Sequence, residues 1–275
     1  MTSSIRRVTN RNATFQQWQA LLGNRTKRHR AGEFIVQGVR PISLALEHHW
    51  DFAALLRPVN ARPTRWAEEV WRTAPGQRFE LADELLAELA ERDAEEPPEL
   101  VAVVRMPADD LDRLVTPGKP PLIAVFDRPS GPGNIGTLIR SLDAFGGTGL
   151  IVAGHAADPY DPRAVRASTG SLFAVPTVRV SAAAEVIDWI AAQRESGVGF
   201  TVLGTDETGE ADLRSVDLAG PAMLVIGNET RGMSQAWREA CDQLLSIPMI
   251  GSASSLNAAI AGSIVLHEAL RQRLP

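Results

Sequence analysis

Leu122-Ile123-Ala124-Val125-Phe126-Asp127-Arg128-Pro129-Ser130-Gly131-Pro132-Gly133-Asn134-Ile135-Gly136-Thr137-Leu138-Ile139-Arg140 is the stretch from which the fold can be read. Its first five residues are an unbroken apolar run, as expected of a strand covered on both faces. A polar, glycine-bearing loop follows, and Ile135 to Ala144 then reads as a helix. Strand, loop and helix in this order form the unit of a parallel α/β sheet. The unit recurs downstream. Gly149–Ala153 reads as a strand, Ala164–Ser168 as the start of a helix, and Thr177–Val180 as strand-like. Ala182–Arg194 is a helix, Gly199–Leu203 and Ala222–Ile226 are strands, and Ser234–Ala240 is a helix. Leu244–Ile247 is a last strand before a long helix, Leu256–Arg273. The expected fold class is α/β, a parallel sheet with helices on both faces.

Upstream, Pro107 to Pro121 shifts to proline, glycine and charge, the composition of a linker. The expected organisation is a small α/β domain over 1–106, a linker over 107–120 and the main domain over 121–275. In the first domain Thr14–Leu22 reads as a helix, with Thr14 as its cap and Gln17 completing a capping box. Asn24 to Arg30 is basic, Glu33–Gly38 a strand and Val39–His48 a helix. Asp51–Val59 holds a short apolar segment, Asp83–Arg92 is an amphipathic helix and Leu100–Arg105 a buried strand.

The 275 residues suit two domains, and an apolar share of 44% is enough for real cores. A single cysteine, Cys241, excludes a disulfide framework and a cysteine-cluster metal site, and His48-His49 has no partner ligands. No metal is expected. The N-terminus lacks the apolar core of a signal peptide, and no run approaches the ~18 apolar residues of a membrane helix. A soluble cytoplasmic protein is the expectation. The formal charge of −5 argues against a nucleic-acid partner, but the charge is segregated. Residues 1–40 carry Arg6, Arg7, Arg11, Arg25, Lys27, Arg28, Arg30 and Arg40 against Glu33 alone, and acids dominate 79–99. Such segregation builds a local positive face able to neutralise phosphates, or a solvated terminus with no partner.

Gly131-Pro132-Gly133-Asn134-Ile135-Gly136 is a literal G-x-G-x-x-G between a strand and a helix, the textual mark of a dinucleotide site. Two details oppose that reading. Asp127 to Ser130 make the loop longer than the tight turn requires, and the next strand ends at Gly154-His155 rather than at a ribose-binding acid. The alternative is a glycine turn capping a helix.

Two further stretches share this strand–loop–helix form: Leu224-Val225-Ile226-Gly227-Asn228-Glu229-Thr230-Arg231-Gly232-Met233-Ser234 and Ile247-Pro248-Met249-Ile250-Gly251-Ser252-Ala253-Ser254-Ser255-Leu256-Asn257. In open α/β sheets such loops gather at the carboxyl edge, where ligands bind.

Read together, the patterns N-x-G…R, G-N-E-x-x-G and I-P-M…S-L-N resemble the three motifs of the SpoU (TrmH-type) RNA 2′-O-ribose methyltransferases, over residues 121–275. Residues 12–105 more loosely resemble the L30-like substrate-binding domain that often precedes it. The resemblance implies a SPOUT fold with a C-terminal trefoil knot, S-adenosylmethionine as cofactor, a homodimer, and an RNA substrate, ribosomal in preference to transfer RNA. Self-protecting rRNA methylases of antibiotic producers share this two-domain plan. Position by position, the resemblance makes Asn134, Arg140, Glu229, Ser255 and Asn257 the catalytic set. It places the cofactor against Leu203, Gly204, Thr205, Ile226, Gly227, Ile247, Met249 and Leu256. Ser254 and Ala258 depart from the usual acid and valine. Arg166 sits in a segment resembling one near the active site, and it can grip the target phosphate or be an ordinary surface arginine. Arg25, Lys27, Arg28 and Arg30 are the candidates for the RNA backbone, by charge.

For the residues themselves blander readings stand beside these. Asn134 can be a helix cap, Glu229 an exposed acid, and Ser255 or Asn257 the cap of the last helix. The small and apolar residues of that helix suit either a dimer contact or burial within one subunit. A nicotinamide oxidoreductase and a non-catalytic RNA-binding protein are the competing functions.

Overall fold

The computed structural model describes residues 5–60, 62–90 and 97–274. They cluster into two compact units, one running up to Pro107 and including Tyr160–Val165, the other comprising Ala108–Pro159 and the chain from Arg166 onward.

The first unit contains β1 (Arg6–Val8), α1 (Ala13–Gly23), α2 (Arg25–Ala31), β2 (Glu33–Gln37), α3 (Val39–Glu47), β3 (Phe52–Pro58), α4 (Arg65–Thr73), β4 (Gln77–Leu81), α5 (Asp83–Leu89) and β5 (Val101–Arg105). Its sheet runs β1-β4-β3-β5-β2. The first three strands are parallel, and β5 is antiparallel to both β3 and β2. Phe15, Trp18 and Leu21 of α1 bury against Phe79, Leu85 and Leu86. Asn12, not Thr14, caps α1, accepting from the Phe15 amide at 3.0 Å. The expected helix over 83–92 ends at Leu89; its last two positions lie outside the described residues.

The sequence reading did not find β1, α4 or β4. The Gln-Arg-Phe-Glu-Leu of β4 hides its strand because two of its buried positions are charged. Arg78 spends its guanidinium on the carbonyls of Trp71, Ala74, Pro75 and Gly76, and Glu80 takes Arg7 and Arg57. Buried charge is tolerable when it is paired this fully.

The second unit contains β6 (Leu122–Asp127), α6 (Pro132–Phe145), β7 (Gly149–Ala153), α7 (Pro162–Ser168, whose first turn clusters with the first unit), β8 (Thr177–Val180), α8 (Ala183–Glu195), β9 (Thr201–Thr205), β10 (Ala211–Asp212), β11 (Ala222–Ile226), α9 (Gln235–Ala240), β12 (Gln243–Ser246) and α10 (Ala258–Arg273). Every pair in the seven-stranded sheet β10-β12-β9-β11-β6-β7-β8 is parallel, as the sequence led us to expect. β6, β7 and β11 are buried at every residue, which is why they read as unbroken apolar runs.

The segment from Ala108 to Pro120 is not a free linker. Leu114 is fully buried among Ile123, Ile151 and Val178, and Asp109 accepts from the Arg179 amide at 2.8 Å. The helix α6 starts three residues earlier than expected, with Gly131 at its cap and Pro132 in the first turn, where its missing N–H costs nothing. At the other end of the unit, α10 packs on α6 and β11 through Ala259, Gly262 and Leu266. A Cβ at Gly262 would lie 2.8 Å from Leu138 Cδ1 and 2.9 Å from Ile226 Cδ1, so glycine sets that close approach.

Candidate active site

The loops after β6, β11 and β12 carry the three motif stretches, and a relay of side chains ties them together. Asn257 Nδ2 donates to Asn134 Oδ1 at 3.1 Å, and Asn134 Nδ2 donates to Glu229 Oε1 at 2.9 Å. The other carboxylate oxygen, Glu229 Oε2, accepts from the Ser130 amide at 3.2 Å and the Ser130 hydroxyl at 3.0 Å. Burial alone would raise the Glu229 pKa, but the bonds from Asn134, its own amide and Ser130 outweigh it and hold the carboxyl below its usual value. Glu229 is therefore an ionised acceptor at neutral pH, not a loose surface acid.

The same geometry settles the capping alternatives. Asn134 lies inside the first turn of α6, so it is not the cap. Asn257 is the cap of α10, its Oδ1 accepting from the Ala259 and Ile260 amides at 3.0 and 3.2 Å, while its amide nitrogen reaches Asn134. One residue thus serves both as cap and as relay member. Ser255 makes no capping bond.

A second set of contacts fixes the loop after β11, and of its members the sequence reading assigned only Gly227, not Asp127, Arg128, Asn228 or Ser234. Buried Asp127 accepts from the Ser234 amide at 2.7 Å and from the Arg128 guanidinium at 3.0 and 2.9 Å. Asn228 Nδ2 donates to the Arg128 carbonyl at 2.6 Å, and Asn228 Oδ1 accepts from the Thr230 and Arg231 amides at 3.0 Å each. The turn closes on itself at Gly227, where a Cβ would lie 2.4 Å from the Met233 nitrogen. Asx-type turns of this kind are the signal that could have flagged Asn228.

Beside this relay is a cavity of about 530 Å³ at the carboxyl ends of β9, β11 and β12. It is lined by Thr205, Ile226, Gly227, Ile247, Met249 and Leu256 of the expected cofactor set, and by Glu229 and Ser255 of the expected catalytic set. Leu203 and Gly204 do not line it. Leu203 is fully buried, and a Cβ on Gly204 would point at Met233 Cε, Cys241 Sγ and Leu244 Cδ2, since strand side chains alternate between faces. The reading also missed lining residues: Asp206, Thr208, Asn228, Arg231 and Arg238. Asp206 pairs with Arg238 and accepts from the Thr208 amide at 2.9 Å. Burial opposes ionisation of Asp206, but the Thr208 bonds and the Arg238 charge keep its pKa lowered. Cys241 offers no nucleophile, because burial pushes its thiol up to about 12.

Arg140 is not a member of this relay. Arg140 lies on another face of α6, exposed, with no side-chain bond among the described residues. In α2, Arg25, Lys27 and Arg30 are exposed but Arg28 is not. Arg28 is 2% exposed and donates to the Leu21 carbonyl at 2.8 Å and to Asp161 at 3.4 Å. It is a structural arginine rather than a phosphate contact, a correction to the charge-based reading. Arg166 falls in α7 and is engaged in contacts of its own.

A parallel sheet with a relayed Asn–Asn–Glu site and a cavity at its carboxyl edge defines an α/β enzyme of the ligand-at-strand-ends type. Residues 121–267 match the SpoU rRNA Methylase family and residues 12–102 the SpoU L30e-like domain; the chain belongs to the SpoU family. It is 57% identical over 274 residues to the 23S rRNA (uridine(2479)-2′-O)-methyltransferase of Streptomyces viridochromogenes, covering 99% of this chain and 94% of that protein. The crystal structure of the SpoU methyltransferase AviRb from the same species, in complex with AdoMet, matches with a TM-score of 0.91 at 57% identity, over 96% of this chain and 98% of that one. The AdoMet-bound rRNA methyltransferase of Sinorhizobium meliloti matches with a TM-score of 0.85 at 29% identity, over 98% and 99% of the two chains. Family membership overturns the oxidoreductase reading of the glycine stretch, whose Gly131, Gly133 and Gly136 do not line the cavity.

Proposed function

We propose that this chain methylates a ribose 2′-hydroxyl of ribosomal RNA, using S-adenosylmethionine. The observation that carries the reading is the Asn257–Asn134–Glu229 relay, which locks three motif loops beside one cavity. The cavity fits the cofactor in size and chemistry. Its volume is in the range of small-molecule sites, Ile226, Leu245, Ile247 and Leu256 offer apolar surface to a base, and Thr205, Thr208 and Ser255 offer polar groups. When bound, S-adenosylmethionine supplies an electrophilic methyl group.

What remains for the protein is alignment of the hydroxyl and help with its proton. Glu229 holds Asn134, and Asn134 in turn is positioned by Asn257, so the relay presents a rigid polar edge to the ribose. Arg140 is exposed and binds the phosphate beside the reacting ribose, and an oxygen of that phosphate accepts the proton that the hydroxyl loses. Arg25, Lys27 and Arg30, with Arg166, contact RNA backbone and position it without reading sequence. In this reading the first unit holds RNA and the second, which includes Ala108–Pro120, carries the catalysis.

The reading includes a homodimer. Ile260 and Ile264 of α10 are exposed, and so are Met249, Ile250 and Leu256, a set of apolar side chains that a second copy would cover. It includes a trefoil knot through the chain beyond β11, on the family resemblance, and work in the cytoplasm, where ribosomal RNA is. No helix among the described residues is long and apolar enough to cross a membrane.

Isothermal titration with S-adenosylmethionine and with NADH, followed by tritium transfer to 23S rRNA, 16S rRNA and tRNA, tests the proposal. Saturable binding of the first alone and label on a ribose of rRNA are expected. Label on a base, or on tRNA only, would overturn it.

A further inference from the structure

The charged side chains nearest the cavity are mostly committed. Asp206 and Arg238 pair with each other, Arg128 is held by Asp127, and Glu229 is held by Asn134 and Ser130. Two are not. Arg231, on the turn after β11, and Glu207, on the loop after β9, both line the cavity and are exposed. Among the described residues neither side chain makes a hydrogen bond or ion pair, with the other or with any neighbour.

Their backbones, by contrast, are fixed. Asn228 Oδ1 holds the Arg231 amide at 3.0 Å. Asp206 Oδ1 holds the Thr208 amide at 2.9 Å, and at Gly209 a Cβ would lie 2.5 Å from the Leu245 carbonyl carbon, so this loop is pressed onto β12. Two opposite charges on rigid loops, both at one cavity and not neutralising each other, suit a ligand that carries both signs. A polyanion such as RNA would be drawn to Arg231 but repelled by Glu207. The amino-acid end of the cofactor carries an ammonium and a carboxylate on one carbon, and a planar guanidinium matches a carboxylate in two-point fashion.

We propose that Arg231 and Glu207 clasp the zwitterionic amino-acid end of the cofactor, Arg231 taking its carboxylate and Glu207 its ammonium. The inference rests on the cofactor reading above. It makes the methionine end, not only the adenosine, a determinant of affinity.

The test is calorimetric and uses the full chain with two ligands, S-adenosylhomocysteine and 5′-methylthioadenosine. Both have a neutral sulfur and the same nucleoside, but only the first has the amino-acid end. Arg231→Ala and Glu207→Gln are each expected to weaken S-adenosylhomocysteine about tenfold, as loss of a hydrogen bond to a charged group would. Both should leave 5′-methylthioadenosine within about twofold, which is under half a kcal/mol. Equal weakening of both ligands would make these residues supports of the loops and overturn the proposal. Unchanged affinity for both, with a raised KM for RNA in Arg231→Ala, would assign Arg231 to a phosphate and overturn it as well. If the unaltered chain bound neither ligand, the cofactor reading would fail first, and the clasp with it.

Discussion

Asn257 donates to Asn134 over 3.1 Å although 123 positions separate them in sequence, and it caps α10 with its other side-chain atom. At the site, the start of the last helix is therefore tied to the first turn of the first motif helix by the Asn257 amide. Any change in the seating of α10 is felt at Asn134 and, through it, at Glu229.

This coupling can be measured. Asn257→Ala should lower stability by about 1 kcal/mol through loss of the cap. It should also lower methyl transfer by far more than unfolding accounts for at 25 °C. Combined with Asn134→Ala, the effects on methyl transfer should be less than additive, because both variants break one relay. Additive effects in a double-mutant cycle would mean the two amides act separately.

Arg140→Ala should bind S-adenosylmethionine as the unaltered chain does, since Arg140 does not line the cavity. It should transfer no methyl group. Titration calorimetry and a single-turnover tritium assay on the same preparation separate the two, and turnover at near-normal rate would remove Arg140 from the chemistry.

The depressed pKa of Glu229 fixes the sign of a pH effect. A carboxyl whose folded value lies below its unfolded one stabilises the fold above the ordinary carboxylate pKa of about 4.3. That contribution is lost as pH falls through the lower, folded value. Thermal unfolding followed downward from pH 6 should show Tm falling more steeply in the unaltered chain than in Glu229→Gln. Parallel curves would mean the relay does not depend on the charge.

Lys27→Ala and Arg30→Ala should weaken RNA binding and reduce the salt slope of log K by about 1 for each phosphate no longer neutralised. Affinity for the cofactor should not change. Arg28→Ala belongs to a different class: its buried guanidinium bonds Leu21 and Asp161, so its removal should cost about 3 kcal/mol of stability. Salt titration of RNA binding and chemical denaturation distinguish the two behaviours.

What the sequence alone determined is what local composition controls. The apolar runs of β6, β7 and β11 have no polar position to face water, so they had to be interior strands, and glycine-bearing loops after strands marked the ligand edge. The three motif stretches were legible because each is contiguous. Charged β4 was not, since its Arg78 and Glu80 look solvent-seeking until the carbonyls and arginines that satisfy them are in view. Arg28 among exposed neighbours, and Gly204 beside Thr205, could be assigned only once helix and strand faces were known. The relay itself belongs to the tertiary structure. A hydrogen bond needs atoms within about 3 Å, and only the folded sheet brings Asn134 within reach of Glu229, 95 residues away, and of Asn257, 123 residues away.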